Sequence, residues 1–178
     1  MEKRGMEKGD KAEKMEFKSG DLVVYPAHGV GEITAIDELS IGGEELKVYS
    51  ISFRETKMTL RLPCAKAKNS GLRKLTSRDR FKEAMKTLQT RAKKSRTMWS
   101  RRAQEYDAKI KSGDPVMIAE VVRDLHPKDE AIEQSYSERQ IYQAALGRLA
   151  RELAAIEKID EKKAADKIEN MMGKKAAA

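Results

Sequence analysis

Cysteine, histidine and aromatic side chains are scarce in this sequence, and their scarcity removes most catalytic designs. The only cysteine, Cys64, has no intrachain partner for a disulfide, which fits a reducing, cytoplasmic setting. Two dispersed histidines, His28 and His126, are too few to build a structural zinc site beside it. A Cys64–His28 dyad would lack the third group that orients the base, so turn hydrogen bonding is the expected role of His28. No GxxxxGK loop is present to cradle a nucleotide phosphate. Long apolar runs are missing as well. The opening MEKRGMEKGDKAEKM is charged throughout, which excludes a signal peptide or a membrane span there. The chain therefore reads as a non-enzyme with no catalytic residues, metal, cofactor or membrane partner.

What is present is charge. Charged residues make up 37% of the 178 positions and aromatics 5%, a balance that disfavours a large all-β protein. The net charge of +8 points to a polyanionic partner. Its surplus is local: residues 71–125 hold 15 Lys/Arg against 7 Asp/Glu, whereas the flanking thirds are balanced. Within that third, Ala84 to Gln104 carries Lys86, Arg91, Lys93, Lys94, Arg96, Arg101 and Arg102 and no acid. A merely solvated helix face usually mixes signs to gain i,i+4 pairs, so a run of one sign favours phosphate contact.

Hydrophobic period divides the chain into α+β parts. DLVVYP, VGEITAID, LKVYSISF, MTLRLP and a short GLRKL predict five strands, with Gly42-Gly43 as a hairpin turn. Five short strands in so little chain predict a small closed barrel at 16–75, since an open sheet would expose two edges. A helical bundle of about five helices is predicted at 76–172. Ser77 caps a helix with Phe81, Met85 and Leu88 inward. Arg96 to Lys111 follows, with Trp99, Ala103, Tyr106 and Ile110 on one stripe and Gly113 at its end. Asp114-Pro115 opens a helix facing inward through Ile118, Val121, Val122 and Leu125. Ser137-Glu-Arg-Gln140 reads as the capping box of a long helix, and a last helix spans Glu161 to Met171. Residues 1–15 and 173–178 are expected to be disordered tails.

The chain's only tryptophan lies inside the acid-free run, in Met98-Trp99-Ser100-Arg101-Arg102. Its stripe neighbours make Trp99 a candidate core residue. At the very start of a helix, however, the ring can also project past the bundle, where flanking cations and a flat ring would suit a partly unstacked DNA fork. Trp99, Arg101, Arg102, Arg96 and Lys94 are accordingly the candidate DNA-binding residues.

GDLVVYPAHGVGEI at 20–33, LRLP at 60–63, MWSRR at 98–102 and IAEVVRDL at 118–125 occur in one order, and with them the sequence resembles the CarD/CdnL family of bacterial transcription regulators. The resemblance implies a Tudor-like barrel that docks on the RNA polymerase β subunit. It also implies a helical domain whose tryptophan, here Trp99, wedges at the upstream edge of the transcription bubble, with Arg101 and Arg102 on the DNA backbone. The docking strand then corresponds to Met58 to Pro63, with Arg61 in contact with the β subunit, and Leu39 occupies a docking position that is basic in some members. A monomer associated with the nucleoid through polymerase is expected, one that stabilises the open promoter complex. Two other readings compete: a KOW-type RNA-binding barrel of the translation machinery, and a protein-interaction module that dimerises through the Ser137 helix.

Overall fold

The computed structural model describes residues 17–93, 95–127 and 133–173. Five strands come first: β1 (Leu22–Tyr25), β2 (Gly29–Ile41), β3 (Glu44–Phe53), β4 (Met58–Pro63) and, after the short helix α1 (Cys64–Ala67), β5 (Arg73–Lys74). They form one antiparallel sheet in the order β4-β3-β2-β1-β5, the Tudor-like domain of an α+β fold. The hydrogen-bonded ladder does not join β4 to β5. Instead α1, which connects them, packs on β3 and β4 and lends Ala67 to the core. A four-residue helix has too little sequence for a period to show, which is why α1 is not legible beforehand.

Alternation along the strands sorts the two faces. Val23, Ile33, Tyr49, Ile51, Phe53 and Leu62 point into one core with Phe17 and Leu72. Gly42 and Gly43 both take positive φ, 62° and 83°, as a two-residue primed turn requires. That turn carries β2 and β3 past their predicted ends into a long hairpin, and a bulge between Ile33 and Ala35 shifts its register once.

Five longer helices follow: α2 (Arg78–Leu88), α3 (Trp99–Lys111), α4 (Pro115–Leu125), α5 (Tyr136–Glu157) and α6 (Glu161–Gly173). Ser77 accepts a hydrogen bond from Arg80 N, and Asp114 accepts one from Val116 N ahead of Pro115. Phe81, Leu88, Tyr106, Ile110, Val121, Val122, Tyr142, Leu149 and Ile168 close a second core. No described helix is long and apolar enough to cross a membrane.

Among the helices, three boundaries differ from expectation. Helix α3 starts at Trp99 rather than Arg96. Gly173, assigned to the closing tail, is the last residue of α6. The third difference concerns the cap of α5, which is Ser135 and not Ser137: its hydroxyl accepts from Glu138 N at 3.2 Å. Both serines satisfy the same S-x-x-E/Q pattern, and Ser137 is engaged elsewhere. The tail at 1–15 and residues 174–178 lie outside the described residues.

Candidate nucleic-acid interface

The basic stretch between α2 and α3 is held at its middle. Lys93 N donates to Asp124 Oδ1 at 3.1 Å, and Arg123 spans from Asp124, at 2.9 Å, to the Thr90 hydroxyl, at 2.7 Å. The Arg123 and Asp124 side chains are almost fully buried, at 9% and 5% exposure, so this brace sits under the loop while the cations face outward. Arg91, Lys93 and Arg96 are exposed. Lys94 lies outside the described residues. Sequence reasoning singled out IAEVVRDL as a motif without assigning this bracing role to its last arginine and aspartate.

At the head of α3, Met98 is 77% exposed and supplies no side-chain cap, and the first turn contains no acid. Arg101 N and Arg102 N both turn back to Met98 O at 3.1 Å, no side chain caps the first turn, and the positive end of the helix dipole adjoins the basic loop, a setting that favours phosphate. Arg101, in that turn, is exposed and has no ion-pair partner among the described residues.

Trp99 is neither sealed in the core nor free of it. Its ring is half-buried against the helical core and lies 6.3 Å from Tyr106, tilted by 50°. Indole Nε1–H donates to Ser137 Oγ at 3.3 Å, which is where the displaced cap serine is used. Arg102 closes the other side: its guanidinium lies 5.5 Å from the Trp99 ring and 5.8 Å from the Tyr106 ring, and it donates to Tyr106 Oη at 3.3 Å. The spacing 99, 102 and 106 is i, i+3, i+7 on one helix, so this stack was available to sequence reasoning. Arg102 thus differs from Arg101, because its planar head is already engaged within the protein. Tyr136, next to Ser137, is 74% exposed and adds a second aromatic surface that the sequence reading did not single out.

Behind the tip, His126, Tyr142 and Glu169 link α4, α5 and α6. His126 Nδ1 lies 3.1 Å from Tyr142 Oη, which donates to Glu169 Oε1 at 3.3 Å. Burial lowers the His126 pKa below its ordinary value and the Glu169 carboxylate partly opposes this. Burial, and then Glu169, push the Tyr142 hydroxyl upward.

The β4 residues form a separate surface. Strand β4 is at the sheet edge, and its register pairs Arg61 with Ser50 and Pro63 with Val48. Leu39 pairs with Leu46, which lies on the same face of β3 as Val48 and Ser50. Arg61, Pro63 and Leu39 thus share one face of the sheet. Arg61 is exposed without an ion-pair partner among the described residues, and Leu39 is half-buried. Met58 pairs with Phe53 and packs against the core, so it belongs to the opposite face from Arg61.

Fold and surfaces together define a chain with a small Tudor-like domain, β4 at one edge of its sheet, and a helical domain ending in a basic aromatic tip. Comparison with known proteins gives this class its family. Residues 17–76 match the CarD-like/TRCF RID domain, and residues 83–169 match the CarD C-terminal domain. A Bacillus subtilis (strain 168) protein named "Putative transcription factor YdeB" is 34% identical over 146 residues, covering 82% of this chain and 95% of that protein. The chain belongs to the CarD-like family of transcription factors.

Proposed function

We propose that this transcription regulator binds RNA polymerase, at its β subunit, through the β4 edge and stabilises the open promoter complex through the Trp99 tip. The observation that carries the reading is the half-exposed indole at an acid-free helix start without a side-chain cap, beside Arg101 and Arg96, which have no ion-pair partner among the described residues. An anchored flat ring can wedge against a partly unstacked base step, and the free guanidiniums and helix amides meet phosphates. The edge strand supports the docking half, since it leaves backbone groups and Arg61 open to a partner strand.

Mechanism then follows from linkage, and no turnover of any bond is involved. A protein that binds melted promoter more tightly than paired promoter shifts the equilibrium by its differential affinity. A difference of about 1.4 kcal/mol raises the open-to-closed ratio about tenfold, within reach of one stacked base at about 1–3 kcal/mol. Docking on polymerase raises the local concentration of the tip, so weak intrinsic DNA affinity suffices. The test is the lifetime of promoter open complexes formed by purified polymerase with and without the protein. Longer lifetimes with the protein are expected, and equal lifetimes at saturation would refute the reading.

A further inference from the structure

The two cores meet along a polar seam that the proposed contacts leave unused. Glu152 on α5 is 3% exposed, yet it carries a carboxylate. Arg73 of β5 engages both its oxygens, at 2.9 and 3.1 Å, and Thr76 N donates to Oε1 at 3.0 Å. Arg73 also donates to the carbonyl of Gly113 at 2.6 Å, tying the α3–α4 turn to the same point. One turn earlier on α5, Arg148 donates to the carbonyls of Pro26 and Ala27 in the β1–β2 turn and, at 2.8 Å, to that of Ile110 at the end of α3. Burial and the neighbouring Arg151 lower the Arg148 pKa, but a guanidinium remains charged across the working range. Pro26 fits against Gly113, where an added Cβ would lie 3.3 Å from Pro26 Cα, and Gly113 has a φ of 72° besides.

Such a seam is costly if it only joins two domains. A buried ion pair seldom outperforms apolar packing in stability, but its fixed hydrogen-bond directions specify one arrangement. Both arginines also reach α3 or the turn that follows it, and α3 is the helix that begins with Trp99. We infer that Arg73, Arg148 and Glu152 are positioning residues that hold the β4 edge and the Trp99 tip at one fixed separation and angle. Docking at one end then places the indole at the fork without a search, and binding at two points acts as one event. This inference rests on the two-point reading above. With the seam loosened, each surface keeps its own affinity while the joint effect falls, because the effective concentration of the tethered tip drops when its orientation spreads.

The full-length chain is compared with Glu152→Gln, which keeps the shape and removes the charge, and with the milder Arg148→Lys. Residual dipolar couplings report domain orientation without polymerase. Titrations give the affinity for polymerase and, separately, for forked DNA, and open-complex lifetime reports the joint effect. We expect wild-type couplings to fit one alignment frame and the variant couplings to need two, with each domain's internal couplings retained. Both separate affinities should stay unchanged while the lifetime gain falls about tenfold. Variant couplings that still fit one frame would overturn the inference. So would a loosened seam with undiminished lifetime, or a lifetime that falls only as far as a separate affinity does. If the wild-type chain fails to lengthen open complexes, that failure falls on the two-point reading, and the couplings alone still decide whether the seam fixes the domains.

Discussion

The two cores differ in what surrounds the aromatic ring that each leaves half-buried: Tyr25 of the sheet domain stacks on His28, whereas Trp99 of the helical domain stands at a basic helix start. In the sheet domain Phe17, Tyr49 and Phe53 are at most 3% exposed, and Phe17 meets Tyr49 edge to face at 5.7 Å. In the helical domain Phe81, Tyr106 and Tyr142 are buried, but Trp99 is left half out, on a base of Tyr106, Arg102 and Ser137. Burying the indole fully would gain hydrophobic free energy, since an aromatic of that size hides a large apolar area. Leaving it at the surface forgoes part of that gain, and a ring with three supporting contacts is what a pre-set binding group requires. The sheet domain instead presents the edge strand β4, where Arg61 is exposed without an ion-pair partner among the described residues.

That contrast is open to a series of substitutions. The largest effect is expected from Arg61→Glu, which reverses the charge on the docking face: polymerase association should weaken about a hundredfold, the scale of an interface hot-spot arginine, with forked-DNA binding untouched. A pull-down on immobilised polymerase checks this, and wild-type retention would move the docking surface off β4. Next, Trp99→Ala should shorten open-complex lifetime about tenfold at unchanged polymerase occupancy. Equal lifetimes would return the indole to a packing role. Replacing Arg96 and Arg101 with glutamine should lower the slope of log K against log salt by about two, about one for each, whereas Arg102→Gln should lower it by clearly less than Arg101→Gln alone, because Arg102 is stacked within the protein. Equal slope changes for Arg101 and Arg102 would contradict the division between them.

The smallest effect concerns the base of the tip. A histidine pKa lowered on folding means that the unfolded chain binds the proton more readily. The associated stability is therefore present above the ordinary value of 6.5 and is lost as pH falls from there through the folded pKa. His126→Asn should flatten the pH dependence of unfolding by denaturant on the acid side, and an unaltered profile would show that another group titrates.

Much of this architecture is legible in the sequence, and the parts that are not share a cause. Period and β-branched composition mark β1 to β4 and the five longer helices, β5 being too short at two residues to repeat, and Gly42-Gly43 and Asp114-Pro115 mark junctions by local backbone chemistry. The α5 cap was misplaced because Ser135 and Ser137 fit one pattern, and only the indole of Trp99, 38 residues away, decides between them. The seam was invisible for the same reason: Arg73 and Glu152 are 79 positions apart, and Arg148 and Pro26 are 122 apart. Of the site, the acid-free run and its tryptophan could be read directly, while the buried brace of Arg123 and Asp124 depends on a loop folding over α4.

Because Trp99 is the only tryptophan in the chain, its own emission reports on the central claim. Fluorescence of the wild-type protein is titrated with a forked promoter fragment and with the same fragment fully paired. Stacking on an exposed base step predicts strong quenching by the fork and weaker quenching by the duplex. Emission that stays unchanged at saturating forked DNA would contradict the account.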